Sequence, residues 1–331
     1  MDRRISIAPM MDWTDRHDRY FLRLISPHVL LYTEMLTAKA LLHGDYRYLL
    51  QYHPLEHPLA LQLGGSDPQE LAQAAVMGQD FGYDEINLNV GCPSDRVKSG
   101  RFGACLMLEP GLVADCVQAM SAVVRIPVTV KCRIGVDEQD DYASLCHFMK
   151  TIASAGCRVF IVHARKAWLK GLSPKENREI PPLRYEVVRQ LKRDFPQLSI
   201  IMNGGIKSAA EIAEHLQAVD GVMIGREVYT NPYFLAELEQ QYYSPQSILP
   251  SRRSIVEKLL PYVQAELAKQ TKLSHITRHI LGLFRGEGGA NQWRRYLSER
   301  ACRPGVGIEV LQQALEFCRV DYGACAPNPP F

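Results

Sequence analysis

The chain has 331 residues, 47% hydrophobic and 22% charged, with a formal net charge of +2. That balance is ordinary for a globular enzyme; no uninterrupted apolar run approaches the roughly 18 residues of a membrane span, so a cytoplasmic protein without a membrane partner is expected. Nine cysteines, never spaced C-x-x-C, argue for reduced thiols and against a disulfide framework or a metal site.

In chain order, eight short apolar, β-rich runs stand out: Ile5–Ala8, Val29–Glu34, Leu59–Leu63, Glu85–Val90, Val128–Arg133, Val159–His163, Ile200–Asn203 and Val222–Gly225. Helical patterns separate the later ones, over Pro68–Gln79, Gly111–Val124, Tyr142–Ala155, Leu183–Asp194 and Ala209–Leu216, the last opening after Ser208 as N-cap. Near-continuous apolar strands alternating with helices predict a parallel sheet covered on both sides, and eight such units predict an α/β fold of the (β/α)8 TIM-barrel type. A doubly wound sheet is the competitor, but no GxGxxG follows any strand.

The pattern changes at Tyr242-Tyr-Ser-Pro-Gln-Ser-Ile-Leu-Pro250. Beyond it the chain reads as helices over Ile255–Lys269, Ile276–Leu283, Asn291–Ala301 and Ile308–Phe317, with a loose proline-rich tail from Cys325. The expected division is a catalytic barrel over 1–243 and a small all-helical C-terminal domain over 250–331. That domain carries 12 Lys/Arg against 7 Asp/Glu, while the first 249 residues carry 26 against 29. A basic unit on a slightly acidic body points towards a polyanionic partner. His275 and His279 share a helix face, but Ile276 leaves no HExxH glutamate, so they read as surface or partner-facing residues and no metal is expected.

A barrel of this kind carries its chemistry at the carboxyl ends of its strands. Those positions hold Pro9-Met10-Met11, Gln62, Asn89 to Cys92, Lys131 with Arg133, His163 with Arg165, Asn203-Gly204-Gly205 and Gly225-Arg226. The two glycine pairs allow close backbone approach; with the helix N-terminus after Ser208 and the Arg226 fork they predict a phosphate-bearing cofactor. Lys131, among β-branched residues, needs an anionic partner or a lowered pKa, and suits either a reduced flavin or a Schiff base. Beside it, His163 reads as a cofactor contact. Gly91 and Pro93 fix the turn at Cys92, and a thiol, ordinarily titrating near 8.5, is protonated at neutral pH and able to act as general acid. The following loop, with Lys98, Gly100, Arg101 and Gly103-Ala104, is one that could open and close.

These residues together resemble the transfer-RNA dihydrouridine synthases. Ile86-Asn-Leu-Asn89-Val-Gly-Cys92-Pro with Gly103-Ala104 matches the family signature, as do Ala8-Pro-Met-Met-Asp-Trp-Thr-Asp and the strand-five lysine. The run His163-Ala-Arg-Lys-Ala-Trp-Leu-Lys-Gly-Leu-Ser-Pro-Lys-Glu-Asn-Arg is similar to the A-type bacterial subfamily. The resemblance implies an enzyme that binds FMN and uses NADPH to reduce the uracil C5–C6 bond at uridines 20 and 20a of the tRNA D-loop. In that reading hydride reaches C6 from reduced FMN, and Cys92 is the proton donor to C5. It further implies FMN contacts from Pro9, Met10, Met11, Gln62, Lys131, His163, Asn203, Gly204, Gly205, Gly225 and Arg226. We expect Asn89 to read the uracil or its ribose, and Lys175, Arg178, Arg294 and Arg295 to contact tRNA, in a protein acting as a monomer. Two other enzymes stay in view: a small-molecule flavoprotein resembling dihydroorotate dehydrogenase, and a Schiff-base lyase using Lys131. A non-catalytic RNA-binding role is the third alternative.

Overall fold

The structure is a computed structural model and describes residues 1–94, 97 and 100–318; Lys98 and the tail from Cys325 lie outside the described residues. Eight strands form one all-parallel sheet: β1 Ile5–Ile7, β2 Leu31–Thr37, β3 Leu59–Gly64, β4 Glu85–Val90, β5 Val128–Arg133, β6 Val159–His163, β7 Ser199–Asn203 and β8 Gly221–Ile224. Their order is sequential, with β1 beside β8. A bridge between Ser6 and Leu30, with the Ile7 amide donating to the Leu30 carbonyl at 2.9 Å, joins β1 to β2 and closes the barrel. The expected limits of β4, β5 and β6 are the observed ones. β2 instead runs three residues past Glu34, because a register shift between Tyr32 and Met35 lets Met35–Thr37 continue the pairing with β3.

The helices are α1 Arg16–Ile25, α2 Ala38–His43, α3 Tyr46–Leu49, α4 Pro68–Phe81, α5 Pro110–Val123, α6 Tyr142–Ser154, α7 Tyr185–Asp194, α8 Ala209–Leu216, α9 Arg226–Thr230, α10 Phe234–Tyr242, α11 Arg252–Ala268, α12 Leu273–Ile280, α13 Ala290–Arg300 and α14 Glu309–Leu315. Several begin where a short acceptor side chain satisfies first-turn amides: Asp15 for α1, Asp67 followed by Pro68 for α4, Asp141 for α6. Strand alternation splits the apolar residues between two cores. Ile86, Leu88 and Val90 of β4 face the helices, whereas Ala8, Leu30, Tyr32, Ala60, Ile161, Ile201 and Met223 fill the barrel interior.

The C-terminal helices dock on α1. Tyr262 stacks on Tyr20 with ring centroids 3.9 Å apart, and its hydroxyl lies 2.7 Å from His17 Nδ1. Arg16 donates to Glu266 at 2.6 Å, and Arg278 to Asp15 at 2.5 Å. His275 is exposed as expected, but His279 is not a surface residue: its ring is buried against Asp15 at 3.1 Å and the Tyr229 hydroxyl at 3.2 Å. The polar helix face that sequence assigned to solvent is covered by the N-terminus of α1. Tyr229 in turn stacks on Trp13 at 4.2 Å, so this contact reaches the loop after β1. Apolar packing runs without a break from the barrel helices through Val256, Leu259, Ile276 and Trp293.

Glu266 joins these elements, accepting from Arg16, Lys269 and Thr271 while almost wholly buried. Burial acts to raise its carboxyl, but the hydrogen bonds and the Arg16 charge prevail and hold it below the usual carboxylate range. A depressed folded-state value contributes stability above that range, and the contribution is lost as pH falls through it. Glu266→Gln should therefore lower stability at neutral pH and lose less on acidification than the parent, as read by urea denaturation between neutral pH and pH values below that range.

Candidate active site

At the carboxyl end of β4 the chain turns sharply. The side-chain carbonyl of Asn89 accepts the Gly91 amide at 3.1 Å and the Cys92 amide at 3.0 Å, so one residue defines the turn that carries the thiol. The Ala104 amide donates to the Cys92 carbonyl at 2.9 Å, tying the following loop back to the turn. Gly103 makes this possible: its φ is +73°, and a Cβ there would stand 2.5 Å from the Cys92 oxygen. Cys92 itself is half-buried, its Sγ 3.5 Å from Ser94 Oγ.

Arg133 is the brace. Its Nε donates to the Gly91 carbonyl at 2.8 Å and its Nη1 to the carbonyls of Lys166 and Asn177 at 3.0 and 3.1 Å. The buried Asn177 holds the long segment after β6, accepting the Trp168 amide at 2.7 Å and donating to the carbonyls of Trp168, Leu172 and Ser173. Sequence reading noted Arg133 at its strand end but assigned it no part. The signal was there in the alternation Lys131, Cys132, Arg133, which sends both cations inward. Asn177 had no local signal, since nothing in a polar run announces a buried hub.

Strand register brings the expected residues into one layer. Asn89 pairs with Lys131, Arg133 with His163, and His163 with Asn203. Lys131 Nζ donates to Asn203 Oδ1 at 3.0 Å, and Asn203 Nδ2 to the Met223 carbonyl at 2.8 Å. Gln62 lies in the barrel beneath Asn89, which donates to it at 2.9 Å. Pro9 and Met10 are half-buried after β1, the loop held by a 2.9 Å hydrogen bond from the Met10 amide to Thr14 Oγ1, while Met11 is exposed. Gly204 and Gly205 both have left-handed φ, and the Tyr185 hydroxyl donates to the Gly204 carbonyl at 2.6 Å. Gly225 is open: a Cβ would come no closer than 3.6 Å to Ala8 or Met10.

Three expectations change. The N-terminus of α8 is closed by its own capping box, with Glu211 accepting the amides of Lys207 and Ser208, so it offers less positive potential than sequence suggested. Arg226 is not a free fork, since its Nη1 donates to Glu179 at 2.7 Å. Asn89 spends its carbonyl on the turn and one N–H on Gln62, which leaves at most one N–H for a substrate. Of the proposed RNA contacts, Lys175 and Arg178 are exposed on the segment after β6, with Arg178 within electrostatic range of Cys92. Arg294 and Arg295 lie exposed on α13, bonded to Asn291 and Glu299 of the same helix.

The layer of Lys131, Arg133 and His163 is short of negative charge among the described residues. Among the described residues neither Lys131 nor Arg133 has a carboxylate partner, and His163 Nδ1 is buried without a hydrogen bond. Burial, then the charge of Arg133, pushes Lys131 down to about 8. Burial, Arg133 and Lys131 together push His163 well below its ordinary range. Such a layer fits an anionic, partly aromatic ligand and strains against its own charge without one. For ligand-free protein the sign is definite. Between about 8 and the ordinary lysine range the unfolded chain keeps a proton that the folded chain has released, so stability rises with pH there. Lys131→Met should abolish that rise in urea denaturation of the ligand-free protein, and a bound anion should suppress it in the parent.

A profile of the family described as dihydrouridine synthase (Dus) matches residues 6–318. The tRNA-dihydrouridine(20/20a) synthase of Shewanella oneidensis is 60% identical over 321 residues, covering 97% of this chain and 96% of that protein. The proteins of that name from Vibrio cholerae and Escherichia coli O6:H1 are 59% and 60% identical, with 94–95% of each chain covered. Among solved structures, 2-naphthoyl-CoA reductase in complex with 2-naphthoyl-CoA matches 73% of this chain and 50% of its own with a TM-score of 0.57; at 10% identity that likeness speaks for the fold alone. No helix among the described residues is long and apolar enough to cross a membrane. Matched along nearly its whole length by the family profile, and with relatives near 60% identity, the chain belongs to the dihydrouridine synthases, a family of flavin-dependent oxidoreductases.

Proposed function

We propose that this chain reduces the uracil C5–C6 double bond at uridines 20 and 20a of the tRNA D-loop, with FMN at the barrel mouth and NADPH as electron donor. One observation carries the reading: a cysteine on a hydrogen-bonded turn stands beside a layer of cations that lack carboxylate partners among the described residues. The names of the relatives supply the substrate. When bound, the flavin supplies the hydride that reaches C6.

The chain's own residues do the rest. Lys131 and His163 would meet the negative charge of the flavin, and Gln62, with its Oε1 taken by Asn89 and one N–H by Asn87, would have one N–H left for the ring. Gly225 would leave room for the phosphate, the backbone at Gly204 and Gly205 would approach it from β7, and Asn203 holds Lys131 in place. Arg226 reaches the phosphate by exchanging Glu179 for it. Pro9, Met10 and Met11, on the loop after β1, would line the mouth beside Gly225 and across from Lys131. Cys92 delivers its thiol proton to C5, and the Asn89 turn keeps Sγ from drifting away from that carbon. The target base leaves its stack to enter, a cost of a few kcal/mol that a loop nucleotide reduces.

The barrel, residues 1–243, is the catalytic unit, and the basic helices of 250–331 dock the RNA, in a monomer working in the cytoplasm. Lys175 and Arg178 guide the nucleotide at the mouth; Arg294 and Arg295 hold phosphate further out. Cys92→Ala should lower dihydrouridine formation on unmodified tRNA by about 10²–10⁴-fold while tRNA affinity changes little; full activity in that variant, scored by reverse-transcription arrest near position 20, would sink the proton-donor assignment. The logarithm of tRNA affinity should fall with the logarithm of salt by about 0.7–0.9 per charge neutralised, and Arg294→Ala with Arg295→Ala should flatten that slope by roughly one unit each.

A further inference from the structure

The inward face of β4 carries Glu85, Asn87 and Asn89, three polar side chains buried in the barrel. Each finds a partner, and the partners form a line. The Thr129 hydroxyl donates to Glu85 Oε1 at 2.5 Å; Asn87 Nδ2 donates to Thr129 Oγ1 at 2.9 Å. Gln62 Nε2 donates to Asn87 Oδ1 at 2.8 Å, and Asn89 Nδ2 to Gln62 Oε1 at 2.9 Å. Asn89 Oδ1 then accepts the amides of Gly91 and Cys92. The line begins at the amino end of the barrel, where Arg3 forms an ion pair with Glu85, and it ends at the thiol turn.

Its direction is fixed from both ends. Glu85, paired with Arg3 and also receiving the Tyr32 hydroxyl at 2.9 Å, offers only acceptors. Thr129 has one proton to give. The Glu85 oxygen at 2.5 Å outcompetes the Ile86 carbonyl at 3.4 Å, so Thr129 must accept from Asn87. Every amide above it is thereby oriented. At the other end two backbone N–H groups can only donate, which demands the carbonyl of Asn89 on that side. The two requirements agree across all three amides, so no member of the line is frustrated.

We infer that Thr129 and Asn87 are positioning residues, which hold the amides of Gln62 and Asn89, and through them the Cys92 turn, in the one orientation the reaction uses. This rests on the proposed function only in naming the reaction; the orientation itself is read independently of turnover. Thr129→Val keeps the shape and removes the relay, leaving Asn87 Nδ2 without an acceptor. Thr129→Ser restores it. Tyr32→Phe removes a different hydrogen bond from the same Glu85 and leaves the line intact.

The test uses the purified flavin-loaded protein. Thr129→Val should lower kcat by about 10–100-fold with KM for tRNA within roughly twofold, change the rate at which iodoacetamide alkylates Cys92, and be rescued in both by Thr129→Ser. Tyr32→Phe should destabilise the protein yet leave kcat and the alkylation rate as they are. Equal effects of Thr129→Val and Tyr32→Phe on kcat would overturn the inference, because generic loosening of the barrel would then explain both. Should Thr129→Val not fold, the unaltered protein still decides. The side-chain amide protons of Asn87 must exchange slowly with solvent by NMR, and rapid exchange of that pair overturns the line. Alkylation and exchange are measured without tRNA, so an error in the substrate assignment appears as an inactive parent protein and is distinguishable from failure of this inference.

Discussion

A polar side chain inside a closed barrel has no water to fall back on, so it must be answered by another strand or be paid for in stability. β4 places three such groups on one face, and the barrel is organised around answering them. Neighbouring strands supply Gln62 and Thr129 at matched register, and the segment before β1 supplies Arg3. The other side of the interior can then be apolar, filled by residues such as Ile161, Ile201 and Met223. The thiol turn is tied to this arrangement, since Asn89 belongs to both.

The layer above obeys a different rule. Among the described residues Lys131, Arg133 and His163 are not answered by carboxylates, and Arg133 reaches three carbonyl acceptors through its Nε and Nη1. A protein does not keep such a layer for stability, because each group loses solvation on burial without gaining a counter-charge. The imbalance is what the proposed flavin site would need. Polar groups below are satisfied within the chain, Lys131 and Arg133 above have hydrogen bonds but no counter-charge among the described residues, and the boundary falls at Asn89.

Much of this was legible in the amino-acid sequence. The strands β4 to β6 could be bounded from their apolar and β-branched residues, and the position of Lys131 and Cys92 at strand ends followed from them. The Asn-x-Gly-Cys-Pro motif carried the family. What escaped had no local signature. His279 looked like a surface residue because its partners, Asp15 and Tyr229, are distant in the chain. Arg226 looked free because Glu179 comes from another loop. The α8 cap was readable as Ser208 with Glu211, yet its closing of the helix end competes with the anion-binding role assigned to it. The buried line through Thr129 needed register, which sequence alone does not give.

The docking of the C-terminal helices has a consequence for how such a chain can be divided. Tyr262 covers Tyr20 and His17, while His279 covers Asp15, the residue that caps α1. A chain cut after Tyr243 would bare an aromatic face and a charged helix end together, beside the loop that begins at Pro9. The barrel and the helices are therefore not interchangeable parts. Grafting another helical appendage onto this barrel would require recreating the underside of α11 and α12 before the graft could dock.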